Sequence, residues 1–155
     1  MGSTDLDMGG EELFSVPVER LFAFVTNLDS LARVLPDVES AERVDDRTLR
    51  CVVRPGVSFL RGKLTTTITL AETQPNRSAL LRLDSKGIGA QIGVEAQLTF
   101  AGHESGSKLA WTAQVTRRTG LVAAVSGALI RAAAEQTIRQ GWRKLRAALE
   151  VDGAP

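Results

Sequence analysis

The period of the apolar residues changes once along this chain, and that change limits the folds open to it. Across residues 47–116 the period is two. Leu49, Cys51 and Val53 alternate with Arg50, Val52 and Arg54, and Leu64, Thr66, Ile68 and Leu70 alternate with Thr65, Thr67 and Thr69. Ile92, Val94, Ala96, Leu98 and Phe100 continue the pattern, as do Leu109, Trp111, Ala113 and Val115. Such alternation makes strands with one buried and one wet face, the habit of an antiparallel sheet. Pro75-Asn76, Lys86-Gly87 and Glu104-Ser105-Gly106 are turn-forming separators, so hairpins or short loops join the strands. An Ala-rich helix of about 30 residues follows, with too few large side chains to build a core alone. It must lie on the sheet, and a groove between sheet and helix is the place to look for function.

Ahead of the sheet, Glu11 to Val16 reads as a first strand. Pro17 opens a helix at a favoured early position, with Ser15 the nearest residue of a capping type. Leu21, Phe22, Phe24, Val25 and Leu28 form its apolar stripe. A second short helix over Ser30 to Val34 ends before Pro36, because the residue preceding a proline avoids the helical region. Residues 1–9 are expected to be a frayed terminus, 10–150 a single domain and 151–155 a short tail. The terminal helix divides in two. Ile138, Trp142, Leu145 and Leu149 give one clean stripe, flanked by Arg139, Arg143 and Arg146. Leu121 to Ala134 is apolar almost all round, with Arg131 its only charge; such a segment is expected to be covered on more than one side or to touch a ligand, a partner or a membrane. Ser126-Gly127 is a natural place for a bend.

Charge and chemistry narrow the function classes. Nineteen basic and eighteen acidic residues nearly cancel, which argues against nucleic acid as a partner. The signs are nevertheless separated: residues 1–46 hold eleven acids and three bases, residues 47–116 nine bases and four acids. That asymmetry suits orientation on a partner or membrane surface. The single cysteine, Cys51, precludes an intramolecular disulfide, and one histidine with one cysteine makes the usual zinc or iron ligand sets unworkable. His103 falls in a turn, and no tyrosine is present. Gly87 and Gly89 do not connect a strand to a helix with phosphate-binding spacing. The start, Met1 to Glu12, is acidic and has no apolar stretch, so no signal peptide is expected and a cytoplasmic location is the default.

The inward positions are aliphatic or aromatic, so a cavity beneath the helix would be greasy and suited to a lipid, isoprenoid, quinone or polyketide-like molecule. Candidate ligand-binding residues are Phe24, Leu31, Leu35, Val53, Phe59, Leu60, Leu64, Leu83, Ile92, Val94, Trp111 and Val115. The helix is expected to roof them with Leu121, Val125, Leu129 and Ala132, so that Val125→Trp would plug the groove. Arg117, Arg118 and Arg131 flank that roof and are candidates for holding a carbonyl or an anionic headgroup. Catalytic residues, metal ligands and cofactors are not expected.

A strand, two short helices, six strands and a long C-terminal helix is the order of the helix-grip fold of START-like (SRPBCC) domains: an α+β architecture in which a curved antiparallel sheet of about seven strands wraps a long helix. Val16-Pro17-Val18-Glu19-Arg20-Leu21-Phe22, Leu35-Pro36, Gly56 to Leu64, Gly87-Ile88-Gly89 and Gly120-Leu121 together resemble the CoxG family of carbon monoxide dehydrogenase proteins over about residues 10–150. Asp37 departs from that pattern, which has glycine after Leu-Pro. The resemblance implies a non-catalytic accessory of a molybdenum hydroxylase-type dehydrogenase, concerned with recruitment to the inner face of the membrane or with handling a membrane quinone. The residues leave two other readings open. One is a polyketide cyclase or dehydratase-like enzyme, for which Arg54, Arg82, Asp84 and Glu95 are the nearby polar candidates, all on outward registers. The other is a protein-interaction adaptor using the apolar helix segment.

Overall fold

The computed structural model describes residues 7–56 and 61–152. The order is β1 (Asp7–Phe14), α1 (Val18–Val25), α2 (Leu28–Val34), β2 (Val38–Asp45), β3 (Thr48–Val53), β4 (Leu64–Gln74), β5 (Ser78–Gly87), β6 (Ala90–His103), β7 (Gly106–Gly120), a 3-10 turn over Leu121–Ala124 and α3 (Gly127–Asp152). The strands form one seven-stranded sheet in the order β1-β7-β6-β5-β4-β3-β2, with every neighbouring pair antiparallel. This is the α+β helix-grip arrangement anticipated from the change of period.

Local differences from the sequence reading have simple causes. β1 begins at Asp7 rather than Glu11 because its edge pairs in continuous register with β7, Asp7 opposite Gln114 through Phe14 opposite Ser107. Helix α1 has Pro17 at its N-cap and no side-chain cap. Helix α2 starts at Leu28, earlier than Ser30, because Asn27 caps it through Oδ1, which accepts from the Ser30 N–H at 3.0 Å. Strand β2 lacks apolar alternation and is exposed almost throughout. It is an edge strand, and its charges are the usual protection of such an edge.

The largest correction lies after β7. No continuous helix starts at Leu121. β7 continues to Gly120, whose φ of 72° is left-handed and where a Cβ would strike the Gly89 carbonyl; only glycine suits that close turn. The Leu121 N–H donates to Gly89 O at 2.8 Å. The 3-10 turn then ends at Val125, which is extended, and Ser126 Oγ accepts from the Leu129 N–H at 3.3 Å at the start of α3. Ser126-Gly127 thus begins the helix instead of bending one.

Two apolar clusters hold the layers together. The larger gathers α1, α2, the inner sheet face and the C-terminal half of α3, with Leu21, Leu49, Leu109 and Leu149 at 0–2% exposure. Each such side chain contributes about 1.5–3 kcal/mol by leaving water. Phe22 and Phe100 meet edge to face at 5.2 Å, and Trp111 lies 6.0 Å from Trp142. Arg146 joins α3 to β1 through Glu12 at 2.6 Å and sits over the Phe14 ring. The smaller cluster, at the other end of the sheet, contains Leu64, Ala90, Val122 and Ile130.

Candidate functional site: an apolar cavity under the terminal helix

The cavity arises where small side chains face one another across the sheet–helix interface. Cys51, Thr66 and Ser85 are lateral neighbours on β3, β4 and β5, Cys51 opposite Thr66 and Thr66 opposite Ser85. Above the sheet, α3 contributes Ala133 and Ala134, with Ile130 and Ile138 on either side of them in sequence. Interiors are normally close-packed, and small residues on both walls leave a space of about 290 Å³. That lies near the lower end of small-molecule sites. Leu64, Ile68, Leu83, Ile92 and Val94 complete the strand wall, and Met8, Ala113 and Val115 close it toward β1 and β7.

Loops supply the remaining wall through Leu35, Pro36, Asp37, Val38 and Pro55. Asp37 has φ 63°, the conformation that glycine adopts most readily, and Asp is among the few other residues that tolerate it. Its carbonyl accepts from the Arg54 N–H at 3.0 Å, so the turn forms without the glycine of the family pattern. Among the described lining residues Asp37 and Cys51 are the ionisable ones. Asp37 is exposed. Burial pushes the Cys51 thiol up, which keeps it protonated and unreactive near neutrality.

Seven residues singled out in the sequence line this space: Leu35, Val53, Leu64, Leu83, Ile92, Val94 and Val115. Phe24, Leu31 and Trp111 do not. Phe24 and Leu31 belong to the main core, where the Arg33 guanidinium lies over the Phe24 ring, and Trp111 packs against Trp142. Phe59 and Leu60 fall outside the described residues. The expected roof is corrected: Leu121 and Leu129 are 59% and 56% exposed, Ala132 is exposed and Val125 packs on the smaller cluster. Because the helix starts at Gly127, its inward face is set by Ile130, Ala133, Ala134, Thr137 and Ile138.

The bases expected at the mouth are engaged elsewhere. An extra residue in β7 opposite Gly93 and Val94 shifts the register, placing Arg118 opposite Ile92, where its Nη1 donates to Val125 O at 3.1 Å. Arg131 pairs with Glu135 at 3.6 Å, and Arg117 borders a depression on the outer sheet face. Of the enzyme candidates, Arg82 pairs with Glu95 at 3.1 Å and Arg54 with Glu39 at 2.8 Å. Asp84 accepts from Gln91 at 3.2 Å, and none of the four lines the cavity.

Three solved structures share the fold. A conserved protein from Geobacillus kaustophilus superposes with a TM-score of 0.86 at 16% identity, over 94% of this chain and 95% of that one. A protein from Rhizobium leguminosarum gives 0.72 at 16% identity over 93% of each chain. Ms6760 from Mycobacterium smegmatis gives 0.71 at 13% identity, over 98% of this chain and 96% of that one. A search of curated proteins gave no match. The sequence model of the carbon monoxide dehydrogenase family CoxG matches residues 10–150, nearly the whole of the sheet and its helices, and this chain belongs to that family.

Proposed function

We propose that this protein binds and carries a hydrophobic small molecule, a quinone, isoprenoid or lipid, without transforming it. The observation that carries the reading is the cavity itself: an apolar hollow beneath α3, made by small residues on both walls, with its one carboxylate exposed at Asp37. A site of that composition favours burial of an uncharged apolar molecule and offers no pair of positioned acid–base groups. Membership of the CoxG family supports a role as accessory to a molybdenum-containing dehydrogenase.

Contact with the inner face of a membrane is part of the same proposal. Leu121 and Leu129 are two of the four large apolar residues left exposed. They lie within a stretch, residues 105–134, that has no Asp or Glu and carries Lys108, Arg117, Arg118 and Arg131. Exposed apolar side chains beside bases suit an anionic lipid surface. Among the described residues no helix is long and apolar enough to cross a membrane.

Native mass spectrometry of the protein purified from its own host, followed by organic extraction, tests the carrier reading. The expected result is a quinone or lipid bound at about one per chain. A ligand-free mass, with no uptake of supplied quinones or lipids, would overturn it in favour of a protein adaptor.

A further inference from the structure

The cavity wall contains one polar feature that packing does not require. Thr66 is 7% exposed and Ser85 half-buried, and their hydroxyl oxygens lie 2.7 Å apart in the middle of an apolar surface. Two hydroxyls bring two donor protons; the bond between them uses one. The second has no protein partner among the described residues. Unpaired buried donors are costlier and rarer than under-used acceptors, so the pair presents the cavity with a donor in need of an oxygen.

The other polar groups of the lining do not compete for that role. The Thr137 hydroxyl donates to Ala133 O at 3.0 Å, within its own helix. Cys51, directly across the strand from Thr66, offers only a weak thiol donor. An anionic headgroup is disfavoured, because no cation lines the space and the one carboxylate, Asp37, would repel it. Placing a carboxylate against the apolar wall without a counter-ion costs far more than one hydrogen bond returns.

We infer that the cavity selects uncharged molecules bearing a carbonyl oxygen, which accepts the spare proton of the Thr66–Ser85 hydroxyl pair. The inference deepens the carrier reading and rests on it. The pair is a specificity element: replacing both partners by apolar groups of similar shape is nearly neutral for stability, so Thr66→Val/Ser85→Ala removes the donor and leaves the fold.

Two probes that differ only at the oxygen isolate the effect: 2-acetylnaphthalene and 2-isopropenylnaphthalene, in which a methylidene group replaces the carbonyl. Titration of the wild-type protein is expected to show the ketone binding about tenfold more tightly, the worth of one net hydrogen bond. In Thr66→Val/Ser85→Ala the two probes are expected to bind alike, with affinity for the hydrocarbon unchanged. Equal binding of both probes to the wild type would overturn the inference while leaving the carrier reading intact, and so would a ketone preference that survives in the double variant. Failure of the wild type to bind either probe would instead overturn the carrier reading beneath it.

Discussion

The two halves of α3 lie on the same sheet and do opposite things there. From Ile138 to Leu149 the helix is sealed down: Leu145 and Leu149 are 3% and 2% exposed, and Trp142 packs on Trp111. From Gly127 to Thr137 it bridges a hollow, with alanines where the other half has leucine and tryptophan. The backbone is helical in both, so the difference lies in side-chain volume alone. Large residues on one half make a core, and small residues on the other make a container. Thr66, Ser85 and Cys51 extend the small side across the strands.

The strongest test of that division is truncation in each half. Leu149→Ala, inside the closed core, is expected to cost about 2–5 kcal/mol through lost transfer energy and the new cavity. Ile130→Ala removes a similar side chain, but from the wall of a space that already exists. It is expected to cost about 1–2 kcal/mol, since fewer contacts are lost where packing was already incomplete. Urea midpoints at constant slope give both numbers, and equal losses would break the comparison.

The next test reverses the volume difference. Ala133→Trp places an indole in the hollow; ligand uptake is expected to fall at least about tenfold, a change of about 1.4 kcal/mol or more in binding. Stability should move by less than in Leu149→Ala, because the added group enters space instead of displacing packed atoms. Val125→Trp, by contrast, sits beside the smaller cluster and outside the lining, so uptake should persist. Loss of uptake in Val125→Trp with retention in Ala133→Trp would transfer the roof to the 3-10 turn.

That contrast also marks how far the residues can be read without the structure. The strands and their inward faces follow directly from period-two alternation, and so do six of the lining positions, Val53, Leu64, Leu83, Ile92, Val94 and Val115. The roof does not, because an apolar segment with no polar face carries no phase. Its phase is nonetheless present one helix turn later. Counting back from Ile138 by four residues at a time gives Ala134 and then Ile130, both on the cavity. Only the assumption of an unbroken helix from Leu121 hides this, and the Gly120 turn that breaks it depends on a tertiary contact with Gly89. Strand β2 escapes for the opposite reason, since an edge strand covered in charge has no alternation to find. Thr66 is legible as an inward residue, but its pairing with Ser85 is set by β4–β5 register, which no single-strand pattern encodes.

The smallest expected effect separates the open end of the molecule from the closed one by pH. Glu39 on β2 accepts from Arg54 Nε at 2.8 Å and pairs with Lys63 Nζ at 3.1 Å. Arg54 follows the last residue of β3 and Lys63 precedes the first of β4, so one carboxylate clamps both ends of the β3–β4 connection beside the cavity rim. The hydrogen bond from Arg54 and then that from Lys63 hold its pKa below the usual carboxylate value. A group whose pKa is lowered by folding binds fewer protons when folded. Its stabilisation is therefore complete above the unfolded pKa, about 4.3 for Glu, and is lost as pH falls through the folded value. Glu39→Gln should consequently lower the urea midpoint slightly at pH 7 and leave no difference from the wild type at strongly acidic pH. All three side chains are substantially exposed, so the difference at pH 7 should also shrink in high salt. A deficit that persisted in acid would mean that the glutamine disturbs β2 itself. The clamp would then be a matter of edge-strand packing, and the open end would be held together by the same means as the closed one.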